Sequence, residues 1–355
     1  MIKQNKLQFD MDTGWQSVMN HIGRGKGHIV SYLWNRFKWN YYHRMNIVPN
    51  FPLNVDIESS SKCNIKCDHC FRQYMDMHEY DFMPMETYRK VVDECAKNKL
   101  FTLKSSMRGE PTLHPNIVEM VEYAKNKGIK EVWINTHGGQ LNEKMCEGFV
   151  KAKLDYLMIS FDGIGEMYES IRIPLKYEKS LAKVKLIKNI RTKLKAKKPV
   201  LKVQSLWSAI KHNPDEYLNI MGNIVDKVSY NLDFDYDDIH FTPDPNYVCY
   251  RLWQRISITS RGDVLKCPSD FEKDEVLGNV NNTTIKELWD TKQKEERDKH
   301  LNGRRLESIA CRKCHHGALV KDDDKVYCGK QHDVNEITYE GAEFEGHGLN
   351  RENQK

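Results

Sequence analysis

Three cysteines with spacing suited to metal binding stand in the run Cys63-Asn64-Ile65-Lys66-Cys67-Asp68-His69-Cys70. This C-x3-C-x2-C pattern directly follows a strand-like segment, Leu53 to Glu58. Three soft thiolates so close in sequence can converge on one soft metal centre. An iron–sulfur cube normally takes four cysteines, so three would leave one iron open to a small chelating ligand. A zinc site usually needs C-x2-C pairs or cysteine–histidine sets, which this run fits poorly; the remaining alternative is that the thiols stand there by chance.

An aromatic residue, Phe71, follows the last of these cysteines. With it, the run resembles the signature loop of the radical S-adenosylmethionine (SAM) enzymes, and the resemblance covers roughly residues 52–241. It implies that Cys63, Cys67 and Cys70 bind a [4Fe–4S] cluster whose open iron takes the amine and carboxylate of SAM, a cofactor that carries radical chemistry. The Phe71 ring would then suit packing on the adenine.

Length and composition are those of a globular protein with one large and one small domain. The 355 residues carry a net charge of only +5, and acids lie among the lysines, which argues against a nucleic-acid partner. No apolar run is long enough for a transmembrane segment, and the start lacks the pattern of a signal peptide. We therefore expect a cytoplasmic protein, in which ten cysteines indicate metal ligands rather than disulfides.

From Leu53 onward, strand and helix patterns alternate, which predicts parallel strands joined by crossover helices. The expected strands are 53–58, 101–105, 131–135, 156–160, 200–206 and either 230–234 or 239–241. The expected helices are 84–98, 117–126, 143–151, 177–194 and 214–225. The six units resemble the α/β fold of this family, a partial (β/α)6 TIM-like barrel, here assigned to residues 51–242. Active sites of such barrels lie at the carboxyl ends of the strands, where the cysteine loop also falls.

The second predicted strand is followed by Met107-Arg108-Gly109-Glu110-Pro111, which resembles the family's Gly-Gly-Glu-Pro motif. By that resemblance, the backbone at Gly109 approaches the cofactor closely, since glycine has no side chain there. The Glu110 carboxylate would accept from the SAM ammonium group. Arg108 replaces the first glycine of the motif, and a simple turn closed by Gly-Glu-Pro is the alternative.

Polar residues after the later strands resemble further cofactor contacts of the family. Thr136 stands in a Thr-His-Gly run, and Ser160 and Asp162 stand in a Ser-x-Asp-Gly run whose side chains would reach the ribose and the methionine part. Arg172 resembles an arginine that pairs with the cofactor carboxylate. Gln204 either faces the cofactor or is an ordinary polar residue of its strand.

A second cysteine set lies in the last third of the chain. Cys249 and Cys267 flank a predicted β-hairpin, 255–259 and 264–266, with a turn at Ser260-Arg261-Gly262-Asp263. Cys311 and Cys314 form a C-x2-C pair, so the two pairs can complete a set of four thiolates. By spacing alone, zinc would accept this set as readily as an iron–sulfur cluster.

The segments that follow the hairpin, Leu277-Gly278-Asn279-Val280 and Ile285-Lys286-Glu287-Leu288-Trp289, resemble the SPASM/Twitch extension of radical SAM enzymes. This resemblance implies an auxiliary [4Fe–4S] cluster in a small domain, here assigned to residues 243–330. Cys328 could replace a ligand or be a free thiol. Cys95 and Cys146 lie in predicted helices and are expected to pack as small apolar side chains. Residues 331–355 read as a polar, flexible tail.

The segment before the barrel, residues 1–50, mixes Trp and Tyr with basic residues. It predicts one or two helices around a break at residues 23–27. The preferred interpretation is a helical extension packed on the barrel flank. The alternative is an interfacial helix that touches a membrane or a partner.

The resemblance implies reductive cleavage of SAM to a 5′-deoxyadenosyl radical that abstracts a substrate hydrogen, with flavodoxin or ferredoxin as reductant. An auxiliary cluster with four protein ligands would accept an electron, which favours two-electron oxidation of a sugar- or aminocyclitol-like alcohol. The base would be Asp233, Asp235 or His240, unless this acidic stretch is only a solvated loop. The alternatives are a peptide- or protein-modifying maturase, a sugar epimerase and, outside enzymes, a zinc-binding scaffold. A small-molecule substrate is favoured over a peptide.

Overall fold

A computed structural model of the chain describes residues 8–11, 21, 23–24, 27–74, 79–233 and 242–318. The strands are β1 (Gln8–Asp10), β2 (Asn54–Ile57), β3 (Lys66–Cys67), β4 (Thr102–Ser105), β5 (Glu131–Thr136), β6 (Tyr156–Ser160), β7 (Arg172–Ile173), β8 (Val200–Leu206), β9 (Lys227–Asn231), β10 (Arg255–Ile258), β11 (Asp263–Leu265) and β12 (Val276–Asn279). The α-helices are α1 (Ile29–Phe37), α2 (Met85–Lys97), α3 (Ile117–Asn126), α4 (Glu143–Lys151), α5 (Glu166–Ile171), α6 (Tyr177–Lys193), α7 (Pro214–Gly222), α8 (Ile285–Asp290), α9 (Lys292–Leu301) and α10 (Ile309–Arg312).

Six neighbouring strands, in the order β2-β4-β5-β6-β8-β9, pair in parallel and form the core of the sheet. Helices connect them, so the predicted α/β fold with a partial TIM-like barrel is confirmed. The sixth strand, β9, begins three residues before the first of the two predicted segments, and helix α7 ends three residues before Val225. The other predicted segment, 239–241, lies outside the described residues.

The barrel strands are apolar because both of their faces are covered, as is usual for parallel sheets. Val55, Leu103, Val132 and Leu157, from four adjacent strands, have no solvent exposure. The covering helices place apolar residues at helical spacing against this core, as α6 does with its buried Leu181, Val184 and Ile187. Cys95 and Cys146 are buried in α2 and α4, as predicted.

The predicted hairpin is present as β10 and β11, and Gly262 in its turn has a φ of +88°. The sequence did not predict that β10 pairs in parallel with β2, placing Ile256 beside Val55. Strand β12 continues the sheet beyond β11, and β1 pairs antiparallel with β9 at the opposite edge. A ten-stranded sheet therefore runs from the barrel into the auxiliary segment without interruption.

Helix α1 packs one face on the barrel flank, which agrees with the preferred interpretation of the N-terminal segment. Tyr32 and Asn35 are the buried residues of this helix. Just before it, Arg24 forms a salt bridge of 2.8 Å with Glu131 at the start of β5. No helix in the described ranges is long and apolar enough to cross a membrane.

Candidate active site and cluster-binding residues

The first cysteine set lies in the loop after β2, at the carboxyl end of the barrel. Within this loop, Lys66 and Cys67 form the short strand β3, which pairs with β7. The amide of Cys70 donates to the carbonyl of Cys67, over 3.1 Å, and so turns the loop back on itself. Burial raises the pKa of all three thiols, and the charges of Cys67 and Cys63 contribute to raising that of Cys70 to about 11. The three thiols therefore interact with one another, and as thiolates they need a cationic partner such as iron.

Arg172 points at this set from β7. Its Nη1 lies 3.4 Å from the Sγ of Cys67, and it forms a buried ion pair with Asp162. The other oxygen of Asp162 accepts from the amide of Leu206 over 2.8 Å, which fixes the carboxylate at the carboxyl end of β8. Two predicted cofactor contacts, Asp162 and Arg172, are thus brought together beside a predicted cluster ligand. Their contact with SAM stays a prediction.

The Glu110 carboxylate is an acceptor for several groups of the chain itself. Its Oε1 accepts from the hydroxyls of Thr112 and Thr136, and its Oε2 accepts from the amide of His137 over 2.9 Å. Both oxygens are therefore engaged in holding together the ends of β4 and β5. The predicted contact of this carboxylate with the SAM ammonium group stays a prediction, while Thr136 belongs to the same buried network.

The backbone that Gly109 approaches closely is that of the segment leading into the cysteine loop. A Cβ at this position would lie 2.3 Å from the carbonyl oxygen of Ser60 and 2.6 Å from that of Lys62. The next amide, that of Glu110, donates to the carbonyl of Lys62 over 2.7 Å. Glycine is required here because the motif after β4 packs directly on the backbone that leads into Cys63.

Arg108, which replaces the first glycine of the family motif, is the centre of a buried ion network. Its guanidinium forms two hydrogen bonds with Glu58, at 2.8 and 2.6 Å, and one of 2.5 Å with Glu79. It also donates to the carbonyl of Phe271, and Glu79 pairs in addition with Lys273. Arg108 therefore joins the barrel to the loop that follows Cys267. Arg108 is visible in the sequence as a departure from the family motif, but its partners are not.

Replacing Arg108 by methionine should destabilise the protein strongly. The change leaves Glu58 and much of the charge on Glu79 buried without compensation, which typically costs about 3–5 kcal/mol. The matched control is Arg89→Met, because Arg89 pairs with Glu119 at the surface, where a salt bridge contributes about 1 kcal/mol or less. Anaerobic chemical denaturation measures both variants. Equal midpoints for the two would contradict the structural role of Arg108.

Phe71, predicted to pack on adenine, has its ring stacked on Phe271. The ring centroids are 3.9 Å apart and the planes differ by 12°. Phe71 follows Cys70 directly, and Phe271 lies four residues after Cys267, a span of at most about 14 Å. This contact is a short link between the two cysteine sets. The predicted contact of Phe71 with SAM stays a prediction.

The four predicted auxiliary cysteines come together below the hairpin. Cys249 precedes β10, Cys267 follows β11, and Cys311 and Cys314 lie in and just after α10. Burial, and then the charge of Cys314, raise the pKa of Cys249 to about 11, and burial also raises the pKa of Cys267, to which all three other cysteines contribute. Four mutually interacting thiols therefore form a candidate cluster site.

Basic side chains lie near the four auxiliary cysteines, and they were not among the residues predicted from the sequence. Arg251 interacts with the charges of Cys249, Cys267 and Cys314, and the fully buried Lys266 with that of Cys311. The Nδ1 of His300 accepts from the amide of Cys249, so its Nε2 carries the proton and faces the Sγ of Cys311 at 3.4 Å. Positive charge and an N–H donor near ligand sulfurs favour the reduced form of an iron–sulfur cluster.

The spacing of these side chains bears on the choice between zinc and a cluster. Within the described part of the chain, no group of three or more His, Cys, Asp or Glu side chains is close enough to hold one metal ion. A zinc site needs four ligand atoms at about 2.0–2.3 Å from a single ion. In a cube the cysteines ligate different irons and can stand further apart.

The remaining predicted residues lie at strand ends around the first set. Ser160 ends β6 and is half-buried, and Gln204 of β8 accepts from the side chain of Gln8 over 3.0 Å. Asp233 follows β9 and accepts from the amide of Ser208 over 2.9 Å. Burial raises the pKa of Asp233, while its hydrogen bonds with Ser208 and the charge of His69 of the cysteine loop act to lower it. The candidates Asp235, His240 and Cys328 lie outside the described residues.

Comparison with known families agrees with this geometry. Residues 57–196 match the radical SAM superfamily, and residues 249–315 match SPASM, an iron–sulfur cluster-binding domain. The chain therefore contains a radical SAM domain, a kind of domain whose cofactors are SAM and a [4Fe–4S] cluster. A SPASM-type domain, which binds an auxiliary iron–sulfur cluster, follows it in the chain.

Individual relatives cover only part of the chain or are distant. An Fe-coproporphyrin III synthase from Methanosarcina barkeri is 31% identical over 111 residues, which are 31% of this chain and 27% of that protein. The structure of BtrN in complex with AdoMet and 2-DOIA aligns with a TM-score of 0.53 at 18% identity, over 75% of this chain and 93% of BtrN. Streptococcus suis SuiB bound to precursor peptide SuiA aligns with a TM-score of 0.52 at 13% identity, over 89% of this chain and 79% of that chain. The match to the curated relative spans under a third of its length, and the two structures show a shared fold.

Proposed function

We propose that this chain is a radical SAM oxidoreductase that removes two electrons from a small alcohol, such as a sugar or an aminocyclitol. The observation that carries the proposal is the second set of four cysteines, which provides a protein ligand for every iron of a cube. A cluster held in this way has no open iron for substrate, so its role is to accept or pass an electron.

In this proposal, Cys63, Cys67 and Cys70 hold the first cluster and leave its fourth iron to the amine and carboxylate of SAM. The chain orients the cofactor with residues at the strand ends around it. These residues are Phe71, Gly109, Glu110, Thr136, Ser160, Asp162, Arg172 and Gln204. The guanidinium of Arg172 lies beside the sulfur of Cys67, and its positive charge would pair with the SAM carboxylate.

Cys249, Cys267, Cys311 and Cys314 hold the auxiliary cluster. The charges of Arg251 and Lys266 and the N–H of His300 make it easier to add an electron there. The stacked rings of Phe71 and Phe271 provide a short route to it from the substrate side. These features support a role of this cluster as an electron acceptor.

The proposed reaction oxidises an alcohol to a ketone by two electrons. When bound and given one electron by the reductant, the first cluster and SAM would supply methionine and a 5′-deoxyadenosyl radical, and this radical would become 5′-deoxyadenosine by taking the hydrogen atom of the carbinol C–H bond. Asp233 would take the hydroxyl proton, and Cys249, Cys267, Cys311 and Cys314 would hold the cluster that accepts the remaining electron, so that the alcohol becomes a ketone. Asp233 is supported by its place at the carboxyl end of β9 and by its raised pKa, which makes it a stronger base than an ordinary carboxylate. Asp235 and His240 remain alternative bases.

The variant Asp233→Asn tests this assignment. Loss of a general base typically slows a reaction about 100- to 10,000-fold, so alcohol oxidation should fall by at least about 100-fold. Reductive cleavage of SAM needs no base from the substrate site and should change less than about twofold. The control Asp298→Asn removes an exposed carboxylate of α9 and should change neither rate. Mass spectrometry of 5′-deoxyadenosine and of ketone, with a panel of cyclitols and sugars, measures both reactions.

The pH dependence gives a second measurement for the same residue. Because the pKa of Asp233 is raised, its base form is lost on acidification at a higher pH than for an ordinary aspartate. Oxidation should therefore fall as the pH drops through that raised value, while cleavage of SAM persists. If the Asp233→Asn variant oxidises the alcohol at the full rate, Asp233 is not the base. If the unmodified protein oxidises no alcohol in the panel, the proposed substrate class is wrong.

A peptide- or protein-modifying maturase is the second candidate, because the same two cysteine sets can serve it and the fold of SuiB extends over most of this chain. Formation of a modified peptide in place of a ketone would distinguish it. An epimerase needs a residue that returns a hydrogen atom. In the described ranges, the two cysteines outside the two sets, Cys95 and Cys146, are fully buried in helices, which disfavours that option. A flavodoxin or ferredoxin as reductant and a cytoplasmic location complete the proposal.

A further inference from the structure

The segment 29–48 exposes an unusual share of large apolar side chains. Among the described residues, fifteen large apolar side chains are exposed, and nine of them belong to this segment. These nine are Ile29, Val30, Leu33, Trp34, Phe37, Tyr41, Met45, Ile47 and Val48. Val30 is 78% exposed and Leu33 is 58% exposed. Aromatic side chains carry about 150–250 Å² each, so the patch is on the order of several hundred Å², a size that marks interaction sites.

The apolar side chains follow the helical repeat and face outward. Val30, Leu33, Trp34, Phe37 and Tyr41 recur at spacings of three and four residues along α1 and the wider turn of Lys38–Tyr42 that continues it. The opposite face carries Tyr32 and Asn35 into the protein. This amphipathic helix packs on the barrel with its more polar face, and no residue in the described ranges covers its apolar face.

The charge of this segment has one sign. Residues 13–55 contain five lysines and arginines and no aspartate or glutamate. Lys38 and Arg44 accompany the exposed aromatic rings, with Lys38 Nζ 5.4 Å from the Trp34 ring and Arg44 Cζ 5.8 Å from the Tyr41 ring. Trp and Tyr beside basic residues are the composition of helices that lie in the headgroup region of a bilayer.

We propose that the face formed by these nine apolar residues with Lys38 and Arg44, the α1 face, binds the surface of an anionic lipid bilayer. A second copy of the chain fits less well, because an isologous dimer through this face would set Lys38 and Arg44 against the same cations with no acid of the segment to pair with them. An anionic lipid surface supplies the missing negative charge, and its acyl boundary takes the aromatic rings. The proposal does not depend on the proposed function, since membrane binding requires no turnover.

Flotation of the cluster-loaded, full-length protein with vesicles tests the proposal. We expect binding to vesicles of phosphatidylcholine mixed with phosphatidylglycerol, much weaker binding to phosphatidylcholine alone, and a decrease with salt. The double variant Leu33→Ser/Trp34→Ser should bind at least roughly tenfold more weakly, because it removes apolar contact from the centre of the face. Lys38→Glu/Arg44→Glu should abolish the preference for anionic vesicles.

The matched control is Leu194→Ser/Leu301→Ser, which removes two exposed apolar side chains elsewhere and should bind like the unmodified protein. Unchanged iron content and SAM binding show that each variant is folded. The proposal is overturned if the unmodified protein floats with neither vesicle, or if Leu33→Ser/Trp34→Ser binds as well as the control. It is also overturned if light scattering shows a dimer that this variant turns into monomers while vesicle binding is absent.

Discussion

Replacement of Cys63, Cys67 and Cys70 by alanine is expected to abolish reductive cleavage of SAM and to leave about half of the iron. The three thiols lie in one loop and interact with one another, so they form one ligand set that cannot hold a cluster once its sulfurs are removed. The auxiliary set is separate in sequence and should keep its own cluster, so a fully loaded chain with about eight irons should retain about four. Iron analysis and the yield of 5′-deoxyadenosine under dithionite measure the two effects.

The control for this variant is Cys146→Ala, which removes a buried thiol of α4 that belongs to neither set. It should keep all of the iron and the full rate of SAM cleavage. Cleavage that persists in the triple variant would refute the assignment of the first set. Loss of all the iron would mean that the two sites do not load independently.

Replacement of Cys249 and Cys267 by alanine should remove the auxiliary iron and stop net substrate oxidation. Cleavage of SAM should continue, uncoupled from product, because the first set and the strand ends around it are untouched. The expected loss of ketone is large, because the variant removes the proposed acceptor of the remaining electron together with the auxiliary iron. Iron content, 5′-deoxyadenosine and ketone are measured on the same anaerobic preparation.

An unchanged iron content in Cys249→Ala/Cys267→Ala would discredit the auxiliary cluster site. If oxidation is retained although the auxiliary iron is lost, the four cysteines still bind a cluster in the unmodified protein. That cluster is then not the electron acceptor of the reaction. The companion variant Arg312→Ala changes the residue between Cys311 and Cys314 without removing a sulfur. It should keep both the iron and the oxidation.

The barrel could be predicted well because its sequence signals are local. Ile117–Asn126, Glu143–Lys151 and Tyr156–Ser160 begin and end where the patterns indicate. Helix α4 also begins with a local cap, since the side chain of Asn142 accepts from the amide of Met145 over 2.9 Å. Signals of this kind need only a few neighbouring residues.

The features that were missed depend on residues far apart in the chain. The parallel pairing of β10 with β2 joins segments about two hundred residues apart, and nothing in the hairpin itself specifies that neighbour. The partners of Arg108, Glu58 and Glu79, lie 50 and 29 residues before it. The sequence shows Arg108 as a departure from a motif, but its ion-pair partners can be identified only from the folded structure.

The candidate site could be predicted only in part, because some of its contacts also join residues that are far apart in the chain. The two cysteine sets can be recognised from their spacing in the sequence. His300 contacts Cys311 from another helix and belongs to no sequence motif, so its role could not be predicted. Glu110 and Gly109 were expected to touch the cofactor, and their visible contacts are to Thr136, His137 and the backbone of the cysteine loop. A family motif therefore predicted where these residues lie better than it predicted their nearest partners.

The function proposed for this chain requires that three sulfurs hold a cube and leave one iron for SAM. Mössbauer spectroscopy of oxygen-free protein reconstituted with iron-57, before and after addition of SAM, tests it most directly. We expect a [4Fe–4S] signal from the first set, seen alone in the Cys249→Ala/Cys267→Ala variant, in which one iron site changes when SAM is added. A spectrum without such a cluster, or one that SAM leaves unchanged, would show that this requirement is not met.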